Sequence, residues 1–455
     1  VPCAAAAVLC VAFAIRVLRP ARSESVKRGV RLVARPSTRS RRERRYAKSS
    51  ARDDALCVAG IAIAPLDECK HFKFVGTTGT GKSTAIRELL SGAIRRGDRA
   101  IFADPDGGYC ARFFDRYRGD VVLNPFEADS RRWDWSAEIK EPYDVEQLAS
   151  GLVPSSSDAS GQEWRGYART FLAAVLRRCH ERDLRSSQDL WRLLTVASAE
   201  ELRPLVAGTP AQPFLEPDNA RMFGSIRSVL GSAVAAFEYI RTQRAAPFSV
   251  RQWVRDSRVP SLLFIPYRAG QIAALRSMIA AWLRLAIVEA MSGREDHDQR
   301  LWFVVDELDA LGAIDGLKDA LARLRKFGGR CVLGFQSAAQ VSSTYGAGDA
   351  QTLVENCSNT LILRCAGSEN GGTSQFASKL IGEREIIRRQ IARGRDREAA
   401  FTRRGARHST NVSEQHVMEA AVLPSELEQL PDLCGYFKAA SSPVWRRVAL
   451  DGRRA

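Results

Sequence analysis

The chain has 455 residues, 68 Lys+Arg against 52 Asp+Glu, and a formal net charge of +16. Its length suits about two to three domain-sized cores, and 45% hydrophobic with 26% charged residues excludes a fibrous or mostly disordered chain. The charge is uneven: Arg16 to Arg52 carries fourteen Lys/Arg against two Glu, residues 383–408 carry nine Arg against four acids, and the rest of the body is slightly acidic. The excess is therefore poor support for a general nucleic-acid-binding surface. Ten scattered cysteines without a CxxC pair read as reduced thiols and not as a disulfide or zinc framework.

Residues 1–15 (VPCAAAAVLCVAFAI) are free of charge, and Arg16, Arg19, Arg22, Lys27 and Arg28 follow. Fifteen helical residues reach ~22 Å, short of a ~30 Å bilayer core. Charges that follow the apolar run instead of preceding it argue against a signal peptide. The expected element is the C-terminal part of a transmembrane helix entering the cytoplasm, with a buried apolar helix as the competing reading. Ala34–Ser50 has no apolar periodicity and reads as a linker, either solvated or lying against anionic lipid.

Leu56–Pro65 and His71–Val75 are strand-like apolar runs. Directly after the second stands GTTGTGKS, Gly76 to Ser83, the full G-x-x-x-x-G-K-[ST] pattern. Its glycines let backbone N–H groups turn toward phosphates, Lys82 reaches the β/γ oxygens and the Ser83 hydroxyl ligates Mg²⁺. Ile86, Leu89, Leu90 and Ala93 have helical spacing, so the loop opens a helix whose dipole also favours phosphate.

RAIFADP (99–105) and VVLNPF (121–126) read as strands. From Arg131 to about Ala245 the character turns helical, with runs at Trp164–Arg178, Leu190–Ala197 and Met222–Ile240. Trp133 and Trp135 suit either base stacking or, more often for tryptophans near a domain junction, a core. LLFIP (262–266) and a long helix to Met291 return to the main sheet.

Leu301–Val305 is a buried-type strand ending in Asp306 and Glu307. The first would contact Mg²⁺ through water and the second would act as general base. Leu317–Phe327 is an amphipathic helix with Leu317, Leu321 and Leu324 inward and Arg323, Arg325 and Lys326 on its other faces; in a ring such an arginine could reach a neighbouring subunit's nucleotide, or simply be solvated. CVLGF (331–335) is another strand, and Gln336 at its end faces the ligand crevice of an open sheet.

Together HFKFVGTTGTGKST, ADPDGGYCARFF, GDVVLNPF with WDW, VVDELDALG, LARLRKFGGRCVLGFQS and LPSELEQLPDLCGYF resemble the TraD/TraG class of conjugative type IV coupling proteins, in order from about Val30 to the C-terminus. The resemblance implies an α/β fold, a RecA-like P-loop NTPase with a central mostly parallel sheet, an inserted all-α domain and a truncated N-terminal transmembrane helix. The expected division is 1–18 membrane helix, 19–55 basic juxtamembrane linker, 56–130 first nucleotide-binding part, 131–245 all-α domain and 246–455 second nucleotide-binding part.

It further implies ATP and Mg²⁺ as cofactors, held by Gly76, Thr77, Thr78, Gly79, Thr80, Gly81, Lys82, Ser83 and Thr84, with Asp306 and Glu307 for metal and hydrolysis, Gln336 as sensor and Arg325 as the candidate finger. The implied partners are DNA bound without sequence specificity, relaxase and relaxosome proteins, inner-membrane components of a type IV secretion system, and five further copies in a homo-hexamer at the inner membrane. Two other readings compete: an FtsK/HerA-like DNA translocase, which shares the P-loop, Asp-Glu and Gln, and a non-hydrolytic membrane adaptor, against which the complete residue set argues.

Overall fold

A computed structural model describes residues 24–33, 56–155, 159–296, 299–369, 371–396 and 407–452. The apolar run 1–15 and the basic stretch 34–50 lie outside these residues. Among the described residues no helix is long and apolar enough to cross a membrane.

A ten-stranded sheet organises the chain. In spatial order its strands are Arg31–Val33, Val444–Ala449, Cys434–Lys438, Asn359–Ile362, Phe72–Val75, Gly329–Phe335, Leu301–Val305, Arg99–Pro105, Leu262–Tyr267 and Val121–Val122. From Asn359–Ile362 to Val121–Val122 every pairing is parallel, and Cys434–Lys438 joins that block antiparallel. The central strands are buried along their whole length, which is why they read as continuous apolar runs and not as alternating ones: helices cover both faces.

The two-residue side-chain period divides the core. Phe72, Phe74, Phe102, Phe264, Trp302 and Val304 pack with Ile86, Leu89 and Leu90 of the helix Lys82–Arg95 on one face. Ile101, Ala103, Leu263, Ile265, Phe303 and Val305 belong to the core on the other face, together with the helical insertion. Phe102 and Phe264 stack with centroids 4.9 Å apart.

Between Asp144 and Arg255 the described residues form helices, and the only strand pairing is Arg132–Trp133 with Pro247–Phe248 at the root. Glu138 ties that root together. Fully buried, it accepts from Trp133 Nε1 (2.9 Å), Ser249 Oγ (3.0 Å) and the backbone N–H groups of Val250 (2.7 Å) and Arg251 (3.1 Å). Trp133 and Trp135 are 1% and 0% exposed, so they are core residues and do not stack on bases.

Four expectations change. Leu56–Pro65 is a tight hairpin of Cys57–Val58 and Ile61–Ala62; Ala59 and Gly60 turn at φ 51 and 70, and Glu88 accepts both their N–H groups at 2.7 and 2.9 Å. VVLNPF pairs only at Val121–Val122, because Asn124 turns the chain, its Oδ1 accepting from Phe126 N at 2.8 Å. Met222–Ile240 is broken into Ala220–Ala233 and Phe237–Ile240. Within the expected 19–55 linker, Glu24–Gly29 joins the long antiparallel ribbon of Glu383–Asp396 and Arg407–Ala420, and Arg31–Val33 pairs with Val444–Ala449.

Candidate nucleotide site

The site forms where the parallel strands end, as expected for an open α/β sheet. Phe72–Val75 delivers the Gly76–Ser83 loop, Arg99–Pro105 delivers Asp104 to the same edge, Leu301–Val305 delivers Asp306 and Glu307, and Gly329–Phe335 delivers Gln336. The strand carrying Gln336 lies between the P-loop strand and the strand of the two acids, so the amide reaches toward both.

Gly79 and Gly81 adopt φ of 77° and 112°, the left-handed region in which glycine has no steric cost. A Cβ on Gly81 would lie 2.8 Å from the Leu433 side chain. The loop is braced from outside: Gly76 N donates to Phe335 O (3.3 Å), Thr77 N to Arg364 O (2.9 Å) and Leu433 N to Thr80 O (2.9 Å). Inside it, Thr80 Oγ1 donates to Thr77 O at 2.7 Å.

Lys82 is buried and its ammonium donates to Gly76 O (2.7 Å) and Thr77 O (3.1 Å). Burial lowers its pKa, opposed by the charges of Asp306 and Glu307. Ser83 Oγ donates to Asp306 Oδ2 at 2.5 Å. Gln336 donates its amide to Glu307 Oε1 at 2.5 Å and accepts from Thr78 Oγ1 at 2.7 Å. Burial and the neighbouring Asp309 and Asp306 raise the pKa of Glu307. Thr78, Lys82, Ser83, Thr84, Glu307 and Gln336 share the wall of one cavity of ≈ 300 Å³.

Asp306 Oδ1 is buried without a hydrogen-bond partner, next to the oxygen that Ser83 engages. Asp306 and Ser83 both line the cavity, and a carboxylate oxygen meeting a serine hydroxyl there is the donor chemistry a hard divalent cation takes. Mg²⁺ needs only one or two such protein ligands when phosphates and water supply the rest.

Arg325 is not brought to this cavity in its own chain. It precedes Gly329–Phe335, at the opposite end of the sheet from Gln336, and seven strand residues span ~23 Å. Three residues that the motif does not specify do join the site: Asp104, Tyr109 and Arg87. Tyr109 Oη donates to Asp306 Oδ2 at 2.8 Å, and Arg87 lies 5.6 Å from the Tyr109 ring centre. Burial raises the Asp104 carboxyl to about 6. The available signal was ADPDGGY itself, polar turn residues at the end of a buried strand.

A loop of this kind at a helix N-terminus, with an Asp-Glu pair one strand removed and a glutamine between them, defines a RecA-like P-loop NTPase. A family model for the type IV secretion-system coupling protein DNA-binding domain matches residues 55–451. The chain belongs to that family. It is 30% identical over 402 residues to the coupling protein TraD of Escherichia coli (strain K12), covering 86% of this chain and 54% of TraD; it thus spans about half the length of that relative. Two solved structures of the plasmid coupling protein TrwB are similar throughout. The complex with the non-hydrolysable ATP analogue ADPNP matches with TM-score 0.79 and 28% identity, covering 95% of this chain and 96% of that one. The complex with ADP and Mg²⁺ matches with TM-score 0.79 and 29% identity over 94% of each.

Proposed function

We propose that the chain is the motor of a membrane-anchored coupling protein, hydrolysing ATP to drive DNA into a type IV secretion channel during conjugation. The observation that carries this reading is the convergence of Lys82, Ser83, Asp306, Glu307 and Gln336, drawn from three strand ends, on one cavity. The TrwB complexes with ADPNP and with ADP and Mg²⁺ support the choice of nucleotide and metal.

In this reading the Gly76–Thr84 backbone and Lys82 hold the phosphates, Ser83 and Asp306 hold Mg²⁺, and Glu307 takes the proton of the attacking water. Bound Mg²⁺ supplies charge neutralisation at the phosphates. Gln336 bridges Thr78 on the loop and Glu307, so a change at the γ-phosphate position alters the hold on the base. Arg325 acts from a neighbouring copy in a homo-hexamer. DNA is bound without sequence specificity, and a relaxase with its bound DNA and the inner-membrane components of the secretion system are the partners. The coupling protein is held at the inner membrane with this motor in the cytoplasm. Residues 56–130 and 246–455 form the nucleotide-binding part around an all-α domain at 131–245.

The deciding experiment is ATPase activity of the chain with and without single-stranded DNA. Stimulation by DNA, weakening steeply with salt because phosphate contacts release counterions, is the expected result. Nucleotide binding without turnover under any DNA condition would favour an adaptor instead.

A further inference from the structure

The two oxygens of Asp306 stand in different circumstances. Oδ2 accepts from both Ser83 Oγ (2.5 Å) and Tyr109 Oη (2.8 Å), whereas Oδ1 is buried and accepts nothing. Ser83 is also the residue whose hydroxyl a P-loop gives to its metal. Once it turns away, Tyr109 is the donor that remains on Oδ2.

Tyr109 is built to stay. It is 1% exposed, and its ring stacks on Phe102 with centroids 5.5 Å apart and planes 27° apart. Its backbone is held separately: Asp104 accepts from the N–H groups of Tyr109 (3.0 Å) and Cys110 (2.7 Å). The intervening turn passes through positive φ at Asp106 (57°) and Gly107 (70°). A Cβ on Gly108 would meet Arg87 Nη2 at 2.9 Å, so the arginine lies against the turn. The strand of Asp104 is the direct sheet neighbour of the strand of Asp306, with Ala103 opposite Val305.

We propose that Tyr109 is a positioning residue for the metal site. Its hydroxyl, set in place by Asp104, pins Asp306 Oδ2, the oxygen that Ser83 also engages, and thereby fixes the rotation of the carboxylate beside the serine hydroxyl. The inference rests on the nucleotide-site reading above. A phenol suits the task because it donates one hydrogen bond without adding charge beside the cation, and its ring fills the core whether or not metal is present. Partners of this kind, one step outside a metal's own ligands, typically change metal affinity about 10- to 100-fold when removed.

The test is ADP binding by the full chain, followed calorimetrically in EDTA and across a Mg²⁺ titration. Tyr109→Phe keeps the ring and deletes only the hydroxyl. It is expected to bind metal-free ADP like the wild type while its Mg²⁺ midpoint moves up about tenfold or more; Asp104→Asn is expected to move it in the same direction. A Tyr109→Phe midpoint within about twofold of wild type overturns the proposal, since that is below the effect such partners have. Equal loss of ADP binding with and without Mg²⁺ also overturns it, because Tyr109 would then act on the fold and not on the metal. If the wild type itself shows no Mg²⁺-dependent binding, the nucleotide-site reading fails first and this one with it.

Discussion

Gln336 holds Glu307 by a 2.5 Å hydrogen bond from its amide to the carboxylate, while the other end of the same amide accepts from Thr78 on the P-loop. Glu307, the proposed base, is thus tethered to the loop that would contact the terminal phosphate. Gln336→Ala should lower the ATPase rate more than it weakens nucleotide binding. Equal losses in both would make Gln336 part of the binding surface only.

Glu307→Gln should reduce turnover at least ~100-fold, the usual contribution of a general base, with nucleotide binding retained. The pH profile gives a second check. Burial and the adjacent Asp309 and Asp306 raise the Glu307 pKa, and a base works only when deprotonated. Wild-type turnover should therefore rise with pH through a midpoint above the ordinary carboxylate value, and this limb should vanish in Glu307→Gln.

Lys82→Ala should abolish ATPase activity and leave the fold intact. The ammonium makes two hydrogen bonds, to Gly76 O and Thr77 O, and losing them costs stability of only about 1–3 kcal/mol. Circular dichroism and a thermal melt check the fold; turnover at the wild-type rate would remove Lys82 from the site.

Arg325→Ala should impair hydrolysis only where copies of the chain assemble. The residue sits at the far end of the sheet from its own cavity, so any action on a phosphate is between subunits. Activity compared across the concentration range that separates monomer from oligomer, by analytical ultracentrifugation, decides it. An equal loss in the monomer assigns Arg325 another role.

His71 makes acid stability a test of the sheet's other end. Its Nδ1 accepts from Cys331 N at 3.0 Å, so the proton sits on Nε2, which donates to Leu321 O at 2.9 Å. Burial first, then Arg330 and Arg325, hold its pKa down to about 4 from 6.5. The unfolded chain then binds the extra proton between those values, so the His71 contribution is intact above pH ~6.5 and is lost as pH falls toward ~4, up to about 3 kcal/mol. Urea midpoints should fall less steeply with acid in His71→Asn, which removes the titrating ring and tolerates the left-handed backbone that His71 adopts at φ 51.

Much of this architecture is legible in the residues. Continuous apolar runs ending in polar residues located the strands of Asp104, Asp306 and Gln336, because parallel strands covered on both faces leave no room for alternation. The glycine pattern located the loop for a stereochemical reason. What stayed hidden depends on distant meetings. Tyr109 and Asp306 are 197 positions apart, and nothing local says which side chain of ADPDGGYCARFF will face the carboxylate. ESVKRG, at 24–29, lacks a strand pattern and becomes one only because the ribbon offers it a partner. Asn124 ends its strand after two paired residues through a side-chain turn that competes with the ladder.

The Leu433 amide, 2.9 Å from Thr80 O, has a thermodynamic corollary. Leu433 also accepts from Leu450 N at 2.7 Å, so local opening of that sheet margin removes a brace of the phosphate loop. A ligand that binds only the closed form adds its binding free energy to the cost of opening, about 2.7 kcal/mol at a hundred times its dissociation constant. Amide exchange at Leu433 and Leu450, far along the chain from any P-loop residue, would then slow about 100-fold with nucleotide, reporting occupancy from the opposite end of the sequence.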